Sequence, residues 1–173
     1  MEFPTPFSAH AETVRPEWID YNGHMNVAYY VLVFDHATDV LFDALGLGLA
    51  YRQANDHTLF MVESHILYSR EVAAGDRLRI ESRVLGVDGK RLHFGHEMFH
   101  AVGGWRAATI ELMAVHVDLA TRRTAPFLPD RRQAIEQAAA AHASLPAADW
   151  VGRHVALPRH RSRPACAGRR AAA

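Results

Sequence analysis

The chain has 173 residues, 49% of them hydrophobic, with 19 acidic and 19 basic residues, which is one domain's worth of sequence with ample material for a core. No apolar run approaches the roughly 18 residues a membrane span requires, no basic-then-apolar leader opens the chain, and the single Cys166 cannot form an internal disulfide. These features argue against membrane and disulfide-stapled secreted classes, and a reducing cytoplasm is the expected location. The zero net charge hides an asymmetry: residues 1–150 carry 13 Lys/Arg against 19 Asp/Glu, or −6, whereas residues 151–173 carry six Arg and no acid. This Arg/Ala/Pro-rich end has little to bury and reads as a disordered, solvated tail rather than a nucleic-acid-binding arm.

In chain order, Thr13 to Ile19 is a short strand candidate interrupted by Pro16. From Val27 to about Leu47, Tyr30, Val33, Phe34, Ala37, Val40, Leu41, Ala44 and Leu45 recur at helical spacing. Val31, Leu32 and Phe42 add apolar surface on other faces, which predicts a helix wrapped by protein, stopped by Gly46 and Gly48. After residue 55 the period becomes two. Strands are predicted from Leu59 to Tyr68, Arg77 to Leu85, Leu92 to Ala101 and Trp105 to Leu119, with turns at Gly75-Asp76, Asp88-Gly89 and Gly103-Gly104. Pro129 to Ala143 is a further, Ala-rich helix candidate. One helix followed by four consecutive strands predicts an α+β layout with an antiparallel sheet. The expected division is a main domain over residues 1–128, a C-terminal helix over 129–145 and the basic tail over 146–173.

The stretch Asp20-Tyr21-Asn22-Gly23-His24-Met25-Asn26-Val27-Ala28-Tyr29-Tyr30 carries the chemical signal. Asn26 is the expected helix N-cap, so Asp20 and Gly23 lie in the loop feeding a helix start, where unpaired N–H groups and a partial positive charge gather. A carboxylate beside such donors suits acyl transfer, because it can attack or activate water against a carbonyl whose oxygen the donors stabilise. Asp20 alone is equally an Asx-turn residue, and Gly23 alone a residue for positive φ; the surrounding His24, Asn26 and Tyr30 favour catalysis. The backbone N–H of Val27 or of a neighbouring helix-start residue is the candidate oxyanion donor. Tyr30 opens the helix's apolar stripe, and His24 is placed to bond Asp20 or substrate.

The pattern Asp-x-x-Gly-His-x-Asn-x-x-x-Tyr before a buried helix resembles the hot-dog-fold acyl-CoA thioesterases of the 4-hydroxybenzoyl-CoA thioesterase type, over about Thr13 to Phe127. Val27 stands where many members have a second Asn. The resemblance implies a long central helix wrapped by a curved antiparallel sheet of about five strands. It also implies an acyl-CoA substrate, no cofactor, and a homodimer or homotetramer with active sites at the dimer interface. Within it, Asp20 is nucleophile or general base, Gly23 lets the substrate carbonyl approach, and Asn26 caps the helix or orients water. Asp35 matches an acidic position that recurs in the family. The stretches Lys90-Arg91-Leu92-His93, His96-Glu97-Met98 and His116 to Phe127 further resemble the branch associated with carnitine dehydrogenases, which implies betainyl-CoA as substrate. Trp18, Tyr30, Tyr68, Phe94 and Trp105 are available to cage a quaternary ammonium. A non-catalytic acyl-CoA-binding or regulatory hot-dog module is the alternative, since fold alone does not decide function.

Glu63 and His65 fall on one face of their predicted strand with Leu59, Met61 and Leu67, where polar groups need partners. They are either a hydrogen-bonded pair or, for Glu63, a helper opposite Asp20 across the dimer, with His65 nearby. No metal site is expected from His93, His96 and His100: His93 points away from the other two, which stand about 13 Å apart at strand rise. Arg70, Arg77, Lys90, Arg91, Arg122 and Arg123 are candidate phosphate contacts, each equally an ordinary solvated cation.

Overall fold

A computed structural model describes residues 3–157 of the chain. Its helix α1 spans Val27–Ala44 and starts as the sequence predicts, with Asn26 extended and its side-chain oxygen accepting from the Ala28 N–H at 3.0 Å. It ends in a Schellman arrangement: Gly46 takes φ +70° and donates to the Asp43 carbonyl, while Leu47 donates to Phe42. A second helix, α2 (Leu49–Asn55), follows at once and lies outside the predicted elements, because seven residues are too few to display a helical period.

The strands are β1 (Phe7–Thr13), β2 (His57–Tyr68), β3 (Arg77–Val87), β4 (Arg91–His100), β5 (Arg106–Asp118) and the two-residue β6 (Arg123–Thr124), and α3 spans Pro129–His142. All pairings are antiparallel, in the order β1-β3-β4-β5-β2 with β6 added to β5. The expected strand at residues 13–19 is corrected. The strand lies earlier, and Pro16–Trp18 is a single 3₁₀ turn, consistent with a proline that has no N–H for a ladder.

Helix α1 lies against one face of the sheet. Alternate residues of β3 and β4, among them Leu78, Ile80, Leu92, Phe94 and Met98, close on Val33, Phe34, Ala37 and Leu41, all essentially buried. His96 sits between these layers. Thr38 Oγ1 donates to the Phe34 carbonyl at 2.9 Å, so it accepts from His96 Nε2 at 2.9 Å, and His96 Nδ1 accepts from Ser82 Oγ at 2.8 Å. Burial pushes the ring's pKa down to about 3, which keeps it neutral and leaves Nδ1 as the acceptor. His93 instead pairs with Glu111 at 2.8 Å, and His100 stacks on Trp105 with ring centres 4.9 Å apart. The clustered histidines thus have three separate structural roles.

The opposite face is covered by residues the sequence assigned to the tail. Trp150 is 2% exposed and lies over Gly95, Arg106 forks Asp149 at 2.8 and 3.0 Å, and Gly152 donates to Glu111 at 2.7 Å. Packing therefore continues past residue 146. The disorder expected of residues 158–173 lies outside the described residues.

Strand β2 forms one edge of the sheet and contains a bulge: Met61 pairs with Ala114 but Glu63 with Met113, leaving Val62 as the extra residue. This corrects the predicted face. Leu59 and Met61 share the helix side with Ser64 and Ile66, whereas Glu63, His65 and Leu67 share the other, because the bulge shifts the alternation by one. Phe60, Met61 and Val62 are exposed along this edge, as are Val31 and Leu32 of α1. Within one chain the helix is consequently buried on one side rather than wrapped all round. Among the described residues, no helix is long and apolar enough to cross a membrane.

Candidate active site

Between β1 and α1 the chain closes a small loop. Ile19 bridges Met25, Asp20 N–H donates to the His24 carbonyl at 3.1 Å, Gly23 N–H to the Asp20 carbonyl at 3.0 Å, and Asn26 N–H to Trp18 at 2.9 Å. Gly23 takes φ +85° with nothing near the place of a side chain, so the turn itself requires it. Asp20 Oδ1 accepts from the Asn22 N–H at 2.8 Å, which is the Asx turn weighed above. Its other oxygen makes no hydrogen bond to a described residue.

At the helix start, the Ala28 N–H is taken by the Asn26 side chain and the Tyr29 N–H by the Asn26 carbonyl at 3.0 Å. The Val27 N–H bonds to no described residue. It is the free donor at the positive end of an 18-residue helix.

A cavity of about 330 Å³ opens here. Asp20, His24, Val27 and Tyr30 line it from the loop and helix, and Tyr68, Ser69, Arg70 and Glu71 from the end of β2. The two segments are tied by Met25 N–H donating to the Val72 carbonyl at 2.8 Å. Tyr30 and Tyr68 meet edge to face with ring centres 5.3 Å apart, and burial raises both phenol pKa values, which keeps them protonated at neutral pH. His24 Nε2 lies 3.7 Å from a Glu71 carboxylate oxygen, so its recorded partner is Glu71, not Asp20. The Arg70 guanidinium lies 4.2 Å above the Trp105 ring.

Of the expected residues, this brings Asp20, His24, Val27 and Tyr30 onto one cavity, with Gly23 shaping the loop and Asn26 capping the helix. Glu63 and His65 are elsewhere in the single chain. Glu63 borders a groove of about 320 Å³ between α1 and β2 that also contains Asp35, and on the far face Glu63 and His65 line a hollow with His93 and Glu111. His65 Nδ1 is buried and has no partner among the described residues. Of the other cavity groups, the sequence reading missed Glu71 altogether and named Arg70 only as one of six cations. Their position opposite a helix start some 40 residues earlier is a tertiary fact; the only local signal was the polar run ending a strand. Chemically, the cavity offers the uncommitted Asp20 oxygen, the Glu71 carboxylate, the free Val27 amide donor and two aromatic rims.

Residues 14–135 match the family model described as the thioesterase-like superfamily. Over 145 residues the chain is 42% identical to the betainyl-CoA thioesterase of Pseudomonas aeruginosa, covering 84% of this chain and 91% of that protein. It is 40% identical over 131 residues to the L-carnitine dehydrogenase/betainyl-CoA thioesterase of Agrobacterium fabrum, covering 76% of this chain but only 27% of that longer protein. A Staphylococcus aureus protein solved in complex with CoA superposes with a TM-score of 0.82 at 27% identity, covering 91% of this chain and all (100%) of that one. The α+β arrangement of one long helix against a curled antiparallel sheet is the hot-dog fold, and the chain belongs to the thioesterase-like superfamily as an acyl-CoA thioester hydrolase.

Proposed function

We propose that this thioesterase hydrolyses betainyl-CoA, releasing betaine and coenzyme A in carnitine breakdown, and that it works in the cytoplasm as a homodimer or homotetramer. The observation that carries the reading is the convergence of the free Asp20 carboxylate oxygen, the free Val27 N–H and the Tyr30–Tyr68 pair on one cavity. Asp20 either attacks the thioester carbon, expelling CoA thiolate and leaving a mixed anhydride for water to open, or takes a proton from the attacking water. The Val27 N–H receives the negative charge developing on the carbonyl oxygen, aided by the helix dipole.

In a betainyl group the quaternary nitrogen is two bonds from the carbonyl carbon, so its binding place must adjoin the catalytic carboxylate. Tyr30 and Tyr68, which line the same cavity as Asp20, take that role in this reading, and Glu71 adds negative charge at the rim. The unpaired β2 edge, with Phe60 to Val62 exposed beside Val31 and Leu32, supports pairing with a second copy. In that dimer Glu63, with His65 behind it, would be offered to the partner's site. Residues 1–128 form the catalytic domain in this reading, with the helix of 129–145 appended to it.

The test is the KM of wild type and Tyr68→Leu for betainyl-CoA and for an uncharged acyl-CoA of similar length, with molecular mass measured by light scattering on the same samples. Loss of one aromatic face at roughly 1–2 kcal/mol raises KM for betainyl-CoA about 5- to 30-fold and leaves the uncharged substrate within about twofold. Equal effects on both substrates would refute the aromatic site, and a monomeric mass in active enzyme would refute the interface.

A further inference from the structure

Strand β1 and helix α1 bring together three side chains that the thioesterase reading does not use. His10 and Glu12 are two apart on β1, opposite Ile80 and Leu78 of β3, and so project on the same side, toward α1. His36 reaches them from α1. Glu12 Oε2 lies 2.9 Å from His36 Nδ1 and 3.4 Å from His10 Nε2, and the three atoms all lie within 4.8 Å of one another. The side chains of His10 and Glu12 are only 18% and 13% exposed, and that of His36 39%. None of the three lines the Asp20 cavity.

We infer that His10, Glu12 and His36 form a binding site for one divalent transition-metal ion, with zinc as the best-fitting probe. Two imidazoles and one carboxylate are a ligand set that zinc takes with a further position left to water. Bonds of about 2.0–2.2 Å to a tetrahedral ion place neighbouring ligand atoms roughly 3.3–3.5 Å apart. The His10–Glu12 separation already has that value, which is long for a hydrogen bond, and the His36–Glu12 pair needs to open by only a few tenths of an ångström.

The surrounding charge is mixed but favourable. Arg15, 57% exposed, lies 3.6 Å from the other Glu12 oxygen and can swing to solvent. On α1, burial chiefly raises the Asp39 pKa, with Asp35 and Asp43 adding to the rise and His36 opposing it, so Asp39 is an acidic group whose charge reaches His36. The ion would join an edge strand to the central helix, at a place where, among the described residues, β1 pairs in the sheet with β3 alone.

The experiment uses the full chain, stripped with chelator and desalted, then titrated with Zn²⁺ by calorimetry and with Co²⁺ by visible absorption. Glu12→Gln and His36→Ala are titrated alongside, each checked for wild-type circular dichroism; His36 is on the partly exposed side of its helix, so its truncation does not open the core. The wild type is expected to bind one Zn²⁺ per chain at this site and to give Co²⁺ ligand-field bands. Each variant is expected to lose those bands and to bind at least about tenfold more weakly. Absence of stoichiometric binding in the wild type overturns the inference. So does wild-type affinity in both variants, which would assign the metal to other histidines or to Cys166.

Discussion

Asp20→Asn is expected to lower kcat for thioester hydrolysis by about 10²–10⁴-fold, the range for removal of a positioned base or nucleophile. Asparagine keeps the oxygen that accepts from the Asn22 N–H, so the Asx turn and the bridge between Ile19 and Met25 survive. The loss therefore reports chemistry rather than folding. Affinity for CoA is expected to change little, since the contact removed is to the reacting carbonyl and not to the nucleotide. Thiol release gives kcat, and calorimetry with CoA gives the affinity. A variant retaining wild-type kcat would remove Asp20 from the mechanism; a variant that lost kcat together with CoA affinity would make it a binding residue instead.

Trp150→Ala is expected to destabilise the protein by about 3–5 kcal/mol, a fall in Tm of roughly 6–20 °C. The indole is 2% exposed and fills the space above Gly95, where an added Cβ would lie 2.6 Å from the ring and collide with the Ile110 carbonyl oxygen. Truncation leaves a void over Gly95, and it frees the segment holding Asp149 against Arg106 and Gly152 against Glu111. Gly95→Ala approaches the same contact from the other side and is expected to cost about 1–3 kcal/mol through overpacking against backbone that cannot yield. Thermal unfolding followed by circular dichroism measures both. A Trp150→Ala Tm within 2 °C of wild type would show that residues 146–152 contribute nothing to the fold.

The elements that the chain announces are those whose signals are local. The eight-position apolar stripe from Tyr30 to Leu45 identifies α1, Asn26 marks its start, and Gly46 with φ +70° marks its end. The alternation of Leu78, Ile80, Ser82 and Val84 survives intact as the buried face of β3. What escapes are features decided by partners far away in sequence. Most of β1 reads as Ser8-Ala9-His10-Ala11-Glu12, residues with little strand preference, and it is a strand because β3 offers it an edge. No local pattern therefore joins His10 and Glu12 to His36. The bulge at Val62 has no glycine or proline to signal it, yet it moves Glu63 and His65 to the opposite face from the one that alternation predicts. The seat of Trp150 depends on the absence of a side chain at Gly95, 55 positions earlier, which no window of sequence displays.

The candidate site divides in the same way. Asp20, Gly23, His24, Asn26 and Val27 belong to one continuous loop and helix start, so their proximity follows from the sequence alone. Tyr68, Arg70 and Glu71 join them only because β2 ends where α1 begins, held by the Met25–Val72 hydrogen bond of 2.8 Å.

The most direct measurement is wild-type thiol release across a small panel: betainyl-CoA, a short straight-chain acyl-CoA, a long-chain acyl-CoA and an aromatic acyl-CoA. The account predicts turnover of betainyl-CoA with a kcat/KM at least about tenfold above every other member, as a roughly 1.4 kcal/mol preference for the quaternary ammonium would give. Equal or better turnover of an uncharged acyl group, or tight binding of betainyl-CoA without release of thiol, would contradict it.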